Sequence, residues 1–207
     1  MFQDRIDAGL ALAQHLLQYK NANAIVMAVP RGGVPVAFPV AKILHLPLEI
    51  ILSKKIGHPL HKEYAIGAVS LTGRFIAPNA QVPQQYIDKE TEQIRWQLQQ
   101  MYQRFMGNRQ PVDVKDKTVI IIDDGIATGH TMLSTVEMIQ NESPSTIVVA
   151  VPVASRQAAK MLQDAADEFI SVLTPPHFRA VGEFYENFTQ VTDEEVMHIL
   201  EQFAPDS

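Results

Sequence analysis

Two carboxylates, Asp123 and Asp124, follow directly on the apolar run Val119-Ile120-Ile121-Ile122, and the chain continues Gly125-Ile126-Ala127-Thr128-Gly129-His130-Thr131. The apolar run reads as a buried strand, and Met132, Val136 and Ile139 after it have helical spacing. The loop therefore lies at the carboxyl end of a strand and opens a helix, which is where ligands bind in open α/β sheets. Small residues there let backbone N–H groups converge, together with the Thr128 and Thr131 hydroxyls, on an anion at the positive helix end. That arrangement suits a phosphate. Asp123 and Asp124 would repel a bare anion, so something neutral or cationic has to lie between them and it. Sugar hydroxyls that donate to the carboxylates meet the need, and so does Mg²⁺ bridging sugar and pyrophosphate oxygens. The residues leave open whether such a metal touches Asp123 and Asp124 directly or through water. No Gly-Lys-Ser/Thr follows the loop, which argues against an ordinary ATPase.

A second candidate loop is Pro30-Arg31-Gly32-Gly33-Val34-Pro35, after the short apolar run Ala24–Val29. Gly32 and Gly33 allow backbone N–H groups close to a pyrophosphate, and Arg31 offers a charged fork. On its own such a segment is more often a structural turn; next to the acidic loop it reads as binding. In the polar stretch Ser53–Tyr64, a lysine on a mobile, closing loop can neutralise charge on a departing pyrophosphate, and Lys55 is the candidate over its neighbour Lys54. His58, His61 and Glu63 lack a convincing further ligand and read as solvent-facing rather than as a metal site. Phe178, Phe184, Tyr185 and Phe188 follow Pro175-Pro176 and could stack on a flat base, although such clusters are more often core. Trp96 reads as packing.

The elements that must position these residues can be read from periodicity. Ile6, Leu10, Ala13 and Leu17 predict an amphipathic helix with that face buried. Ala24–Val29, Leu48–Leu52, Ala65–Leu71, Thr118–Ile122, Ile147–Val151 and Phe169–Leu173 predict strands. Helices are expected over Val34–Leu44, despite Pro35 and Pro39, and from Pro83 to about Met106. A further helix is capped by Ser155, and the last is opened by a Thr192/Glu195 capping box. The alternation gives an α/β fold, a mostly parallel sheet with helices on both faces.

Bulk properties narrow the classes further. A chain of 207 residues fits one domain, spanning 1–207. With 46% hydrophobic and 19% charged residues it has an ordinary globular balance. A net charge of -6 argues against a nucleic-acid binder, which needs clustered Lys and Arg. The absence of cysteine excludes thiolate metal sites and cysteine nucleophiles. Without a signal peptide or a membrane-length apolar run, no membrane association is expected and the location is expected to be cytoplasmic.

The acidic loop resembles the hallmark of the type I phosphoribosyltransferases, an apolar strand, two acidic residues and a Thr-Gly-containing loop. Arg31-Gly32-Gly33 resembles the pyrophosphate loop of purine-type members. Asp7-Ala8-Gly9, Lys55-Ile56-Gly57, Ala65-Ile66-Gly67-Ala68-Val69 and Val181-Gly182-Glu183-Phe184-Tyr185 are similar to a bacterial group of these proteins whose acceptor is not settled. Gly125 departs from the pattern, since many members have a larger apolar residue there.

The resemblance implies a type I phosphoribosyltransferase-like fold with a small hood from 174–192, joined by the N-terminal segment, and a homodimer. It implies phosphoribosyl pyrophosphate as donor, Mg²⁺, and a purine- or pyrimidine-like base as acceptor. Asp123 and Asp124 would hold the ribose hydroxyls and Ala127, Thr128, Gly129, His130 and Thr131 the 5′-phosphate, with Gly125 and Ile126 in the same loop. Arg31, Gly32, Gly33 and Lys55 would serve the pyrophosphate. A sensor or regulatory protein that binds phosphoribosyl pyrophosphate or a nucleotide without turnover, and a sugar-phosphate hydrolase, are the alternatives.

Overall fold

Every run read as a buried strand is extended in the computed structural model, which describes residues 1–203. In chain order the elements are α1 (Arg5–Gln14), β1 (Ala24–Ala28), α2 (Gly33–Leu44), β2 (Leu48–Ile50), β3 (Ser53–Gly57), β4 (Ala65–Ser70) and β5 (Arg74–Ile76). They continue as α3 (Gln84–Met106), β6 (Thr118–Ile122), α4 (His130–Gln140), β7 (Thr146–Val153), α5 (Arg156–Gln163), β8 (Glu168–Leu173) and α6 (Asp193–Glu201).

Five strands form a parallel sheet in the order β2-β1-β6-β7-β8. Strand β6 shows why both faces are apolar: Ile120 and Ile122 point into one core with residues of α2, while Val119 and Ile121 point into another with residues of α4 and α5. That is the period-2 alternation of a strand covered on both sides. Register then sets the site. Ala28 pairs with Ile122, and Val29 N–H donates to Ile122 O at 2.8 Å, so the loops after β1 and β6 leave the sheet side by side.

Three expectations change. Ala65–Leu71 does not join the parallel sheet: β4 is the middle of a separate antiparallel sheet, β3-β4-β5. Ser53–Tyr64 is not all loop, because its first five residues are β3, a strand whose two exposed lysines hide it from a search for apolar runs. On α1, Ile6 and Leu10 remain 38% and 46% exposed, and the buried residues are Arg5, Ala8, Gly9, Leu12 and Ala13. Small residues win that face because α1 lies so close to α2 that a Cβ on Gly9 would be 2.3 Å from Val36 O.

The remaining helices follow their patterns. Helix α3 buries Ile87, Ile94, Leu98 and Phe105, but Trp96 is 66% exposed rather than packed. At 100° per residue Trp96 stands about 200° round the helix from Ile94. Thr192 and Glu195 form the expected capping box on α6, and Ser155 Oγ caps α5 by accepting from Ala158 N–H at 3.1 Å. Among the described residues no helix is long and apolar enough to cross a membrane.

Candidate functional site

Asp123 and Asp124 stand at the end of β6, opposite the loop that leaves β1. Asp124 N–H donates to Asp123 Oδ1 at 2.8 Å, which turns the first carboxylate back over the loop. Gly32 and Gly33 are packed against this pair. A Cβ on Gly32 would sit 2.1 Å from Asp124 Oδ2, and one on Gly33 would sit 2.6 Å from Ile122 O and 3.0 Å from Asp123 Cα. The glycines are therefore needed for the two loops to touch, and Gly33 N–H is committed to Val29 O at 2.9 Å. Gly33→Ala, which drives a methyl into backbone, is expected to cost roughly 1–3 kcal/mol. Gly32→Ala meets a carboxylate instead and is expected to displace Asp124 and lose its clamp with Arg5, so that its cost, unlike that of Gly33→Ala, falls as pH drops and Asp124 takes a proton. Thermal melts of the two variants side by side check the contrast.

Ile126 is buried, its N–H donating to Val153 O and its carbonyl accepting from Ser155 N–H, both at 2.9 Å, so it packs in the core and does not face a ligand; beyond it the loop opens. Ala127, Thr128, His130 and Thr131 are exposed, and Gly129, at φ 83, takes a left-handed turn that favours glycine and leads into α4. No side chain caps α4, so its first N–H groups keep their pull on an anion. Ser155 steadies the loop by donating from Oγ to Ala127 O at 2.6 Å. Gly125 has its own reason: a Cβ there would meet Val181 Cγ1 at 2.5 Å, so Val181 fills the space above it.

A cationic side chain not anticipated from the sequence completes the acidic pair. Arg5, in the first turn of α1, places Nε and Nη2 both 2.9 Å from Asp124 Oδ2, and Nη1 donates to Thr189 O at 2.8 Å. Its guanidinium lies 3.9 Å over the Phe188 ring. Burial pushes the Asp123 carboxyl well above its ordinary range, and the neighbouring charge of Asp124 adds to this. Burial also raises Asp124, with Arg5 pulling the other way. Tyr185 donates from its hydroxyl to Asp124 O at 2.6 Å, and burial raises its pKa so that it stays a donor.

The segments read as a hood lie together at this spot. Phe2 N–H donates to Phe184 O and Glu186 N–H to Phe2 O, both at 2.8 Å, so the N-terminal segment runs beside residues 184–187. Phe178, Phe184 and Tyr185 pack with Phe2 as a small core, whereas Phe188 faces a cleft of about 970 Å³. Asp124, Thr131, Arg31 and Gly32 line the same cleft. So does Lys54, whose Nζ donates to Gln97 Oε1 at 2.7 Å. Lys55, the expected lysine, is absent from the wall, as are Gly33, Asp123 and Ala127 to His130; for Lys55 the reason is that adjacent residues of β3 point to opposite faces.

His58, His61 and Glu63 fall in the tip of the β3–β4 hairpin, where the two imidazoles stack at 5.9 Å. Among the described residues no group of three or more His, Asp or Glu is arranged to hold a metal. The pair Asp123 and Asp124 suits the other kind of site, in which Mg²⁺ keeps water and takes one or two carboxylates together with a ligand's phosphate oxygens.

Comparison with known proteins bears on this geometry. A family model described as a phosphoribosyl transferase domain matches residues 4–189. Two Mycobacterium tuberculosis proteins, provisionally named phosphoribosyl transferases, are 36% identical over 208 residues, which is 98% of this chain and 47% of each of theirs. The chain thus spans about half the length of the curated relatives it matches. The crystal structure of TT1426 from Thermus thermophilus superposes with a TM-score of 0.89 at 36% identity, covering 99% of this chain and 100% of that one.

Proposed function

Because the chain belongs to the phosphoribosyl transferase family, we propose that it moves the 5-phosphoribosyl group from phosphoribosyl pyrophosphate to a nitrogenous base. The observation that carries this reading is the meeting of the loops after β1 and β6 on one cleft, with Asp124, Arg31, Gly32 and Thr131 on its wall. Asp123 and Asp124 accept the ribose hydroxyls. Ala127 to Thr131, at the uncapped start of α4, hold the 5′-phosphate. Arg31, the Gly32 amide and Lys54 face the pyrophosphate. Residues 174–192 and the N-terminal segment act as the hood of one domain, with Phe188 as the surface a flat base would meet.

In the transfer, the bond from the anomeric carbon to the pyrophosphate oxygen breaks and a bond to the acceptor nitrogen forms with inversion. The departing pyrophosphate takes the electron pair, and the proton of the acceptor N–H passes to solvent. The carboxylates fix the sugar, while the cationic wall receives charge on the leaving group, so positioning and electrostatics supply most of the effect. Mg²⁺ arriving with the ligand would be held by Asp123 and Asp124 and would neutralise the pyrophosphate.

The test is pyrophosphate release from phosphoribosyl pyrophosphate with Mg²⁺ and a panel including adenine, guanine and orotate. Release that depends on one base supports the transferase. Saturable binding without release from any base would instead mark a sensor, and release with no base a hydrolase.

A further inference from the structure

Arg31 is not the only guanidinium at the pyrophosphate end of the cleft. Arg104, in the last turn of α3, comes to the same place from a different element, and one carboxylate holds both. Arg31 Nε is 2.8 Å from Asp193 Oδ1, and Arg104 Nη1 is 2.8 Å from Asp193 Oδ2. All three residues line the large cleft and also a smaller adjoining cavity of about 340 Å³. The arginine side chains are 45% and 59% exposed, while Asp193 is 16% exposed. Two cations thus share one anion, each taking a different oxygen, which is how a pair of guanidinium groups takes a phosphate.

The local fold does not need Asp193 for its shape. It is the first residue of α6, yet the cap of that helix is made by Thr192 and Glu195, and Glu194 and Glu195 also put acid in the first turn. Its two ion pairs tie the loop after β1 and the end of α3 to α6, and they do so on a cleft wall where a ligand can reach the same guanidinium groups. We infer that Arg104 is a second binding residue for the pyrophosphate end, and that Asp193 is an internal anion that occupies both guanidinium groups until a ligand displaces it. The inference rests on the proposed function and extends it to a residue of the long helix. Displacement is favourable because the two guanidinium groups, at 45% and 59% exposed, are within a ligand's reach, and pyrophosphate offers the same forks more charged oxygens than one carboxylate does.

The experiment is calorimetric titration of Mg²⁺-pyrophosphate, and separately of phosphoribosyl pyrophosphate, into wild type, Asp193→Asn, Arg104→Gln and the double variant at fixed ionic strength. Glu201→Gln, exposed at the far end of α6, controls for net charge, and melting curves confirm folding. Asp193→Asn is expected to tighten pyrophosphate binding roughly 3- to 10-fold, because it removes the anion that competes for both forks. Arg104→Gln is expected to weaken it by a similar factor, and the gain from Asp193→Asn is expected to shrink in the double variant. If wild type binds both ligands and neither substitution moves pyrophosphate affinity, or Glu201→Gln moves it as much as Asp193→Asn, the inference is wrong and the proposed function stands. If folded wild type and variants bind neither ligand, both are wrong.

Discussion

Asp123→Asn is expected to raise the melting temperature of the free protein at pH 7 and to remove its affinity for phosphoribosyl pyrophosphate. Burial and the charge of Asp124 hold the Asp123 carboxyl above its ordinary range, so its protonated form is the one the fold favours. The stability carried by that proton is complete below the unfolded pKa and is lost as pH rises through the raised folded value. Above the ordinary carboxylate range folding must therefore either bury the charge or take up a proton, and a neutral asparagine, whose Oδ1 can still accept from Asp124 N–H, avoids both. Each unit of pKa displacement corresponds to about 1.4 kcal/mol, or roughly 3–5 °C in a domain of this size. The gap between variant and wild type should close as pH falls. Ligand affinity should run the other way in wild type, weakening on acidification from above the usual carboxylate range, because the ionised form accepts the sugar hydroxyls. Melting curves between pH 8 and 4.5, with ligand titrations at the same points, read both trends. Superimposable melts at every pH would show that the charge carries no penalty.

Arg5→Leu is expected to have the opposite sign. Arg5 and Asp124 side chains are 10% and 15% exposed, and removing one partner of a buried pair costs roughly 3–5 kcal/mol because the other charge is left without compensation. Here the loss extends further, since Arg5 also ties α1 to Thr189 and the Phe188 ring. Without Arg5 the Asp124 carboxyl moves further upward, so the variant should recover stability as pH falls and Asp124 takes a proton. Asp124→Asn added to Arg5→Leu should restore part of the loss, and the four melting temperatures form a double-mutant cycle. Arg5→Lys keeps the charge without the fork and should fall between the two. An Arg5→Leu protein as stable as wild type would mean that the clamp contributes nothing.

How far the sequence could be read depended on whether a feature was local. Strand β6, its two acids and the helix after them lie within a short stretch, so the apolar run and the change of period locate them, and the same holds for the β1 loop, α2 and the Thr192 capping box. Arg5 was out of reach because its partner is 119 residues away and a charge in the first turn of an amphipathic helix looks solvated. The choice between Lys54 and Lys55 needed the direction of β3, and β3 itself hides behind its lysines and pairs only with β4. The face of α1 was misread because close packing on α2 favours Ala8 and Gly9 over the larger Ile6 and Leu10. Phe178, Phe184 and Tyr185 against Phe188 could be divided only once Phe2 was seen beside them.

The most direct measurement is a calorimetric titration of phosphoribosyl pyrophosphate into the protein, with and without Mg²⁺, beside a folded Asp123→Asn/Asp124→Asn variant. Saturable, Mg²⁺-dependent binding in wild type that disappears in the variant is the expected result. Folded wild-type protein that takes up no phosphoribosyl pyrophosphate at any Mg²⁺ concentration would contradict the assignment of the acidic loop.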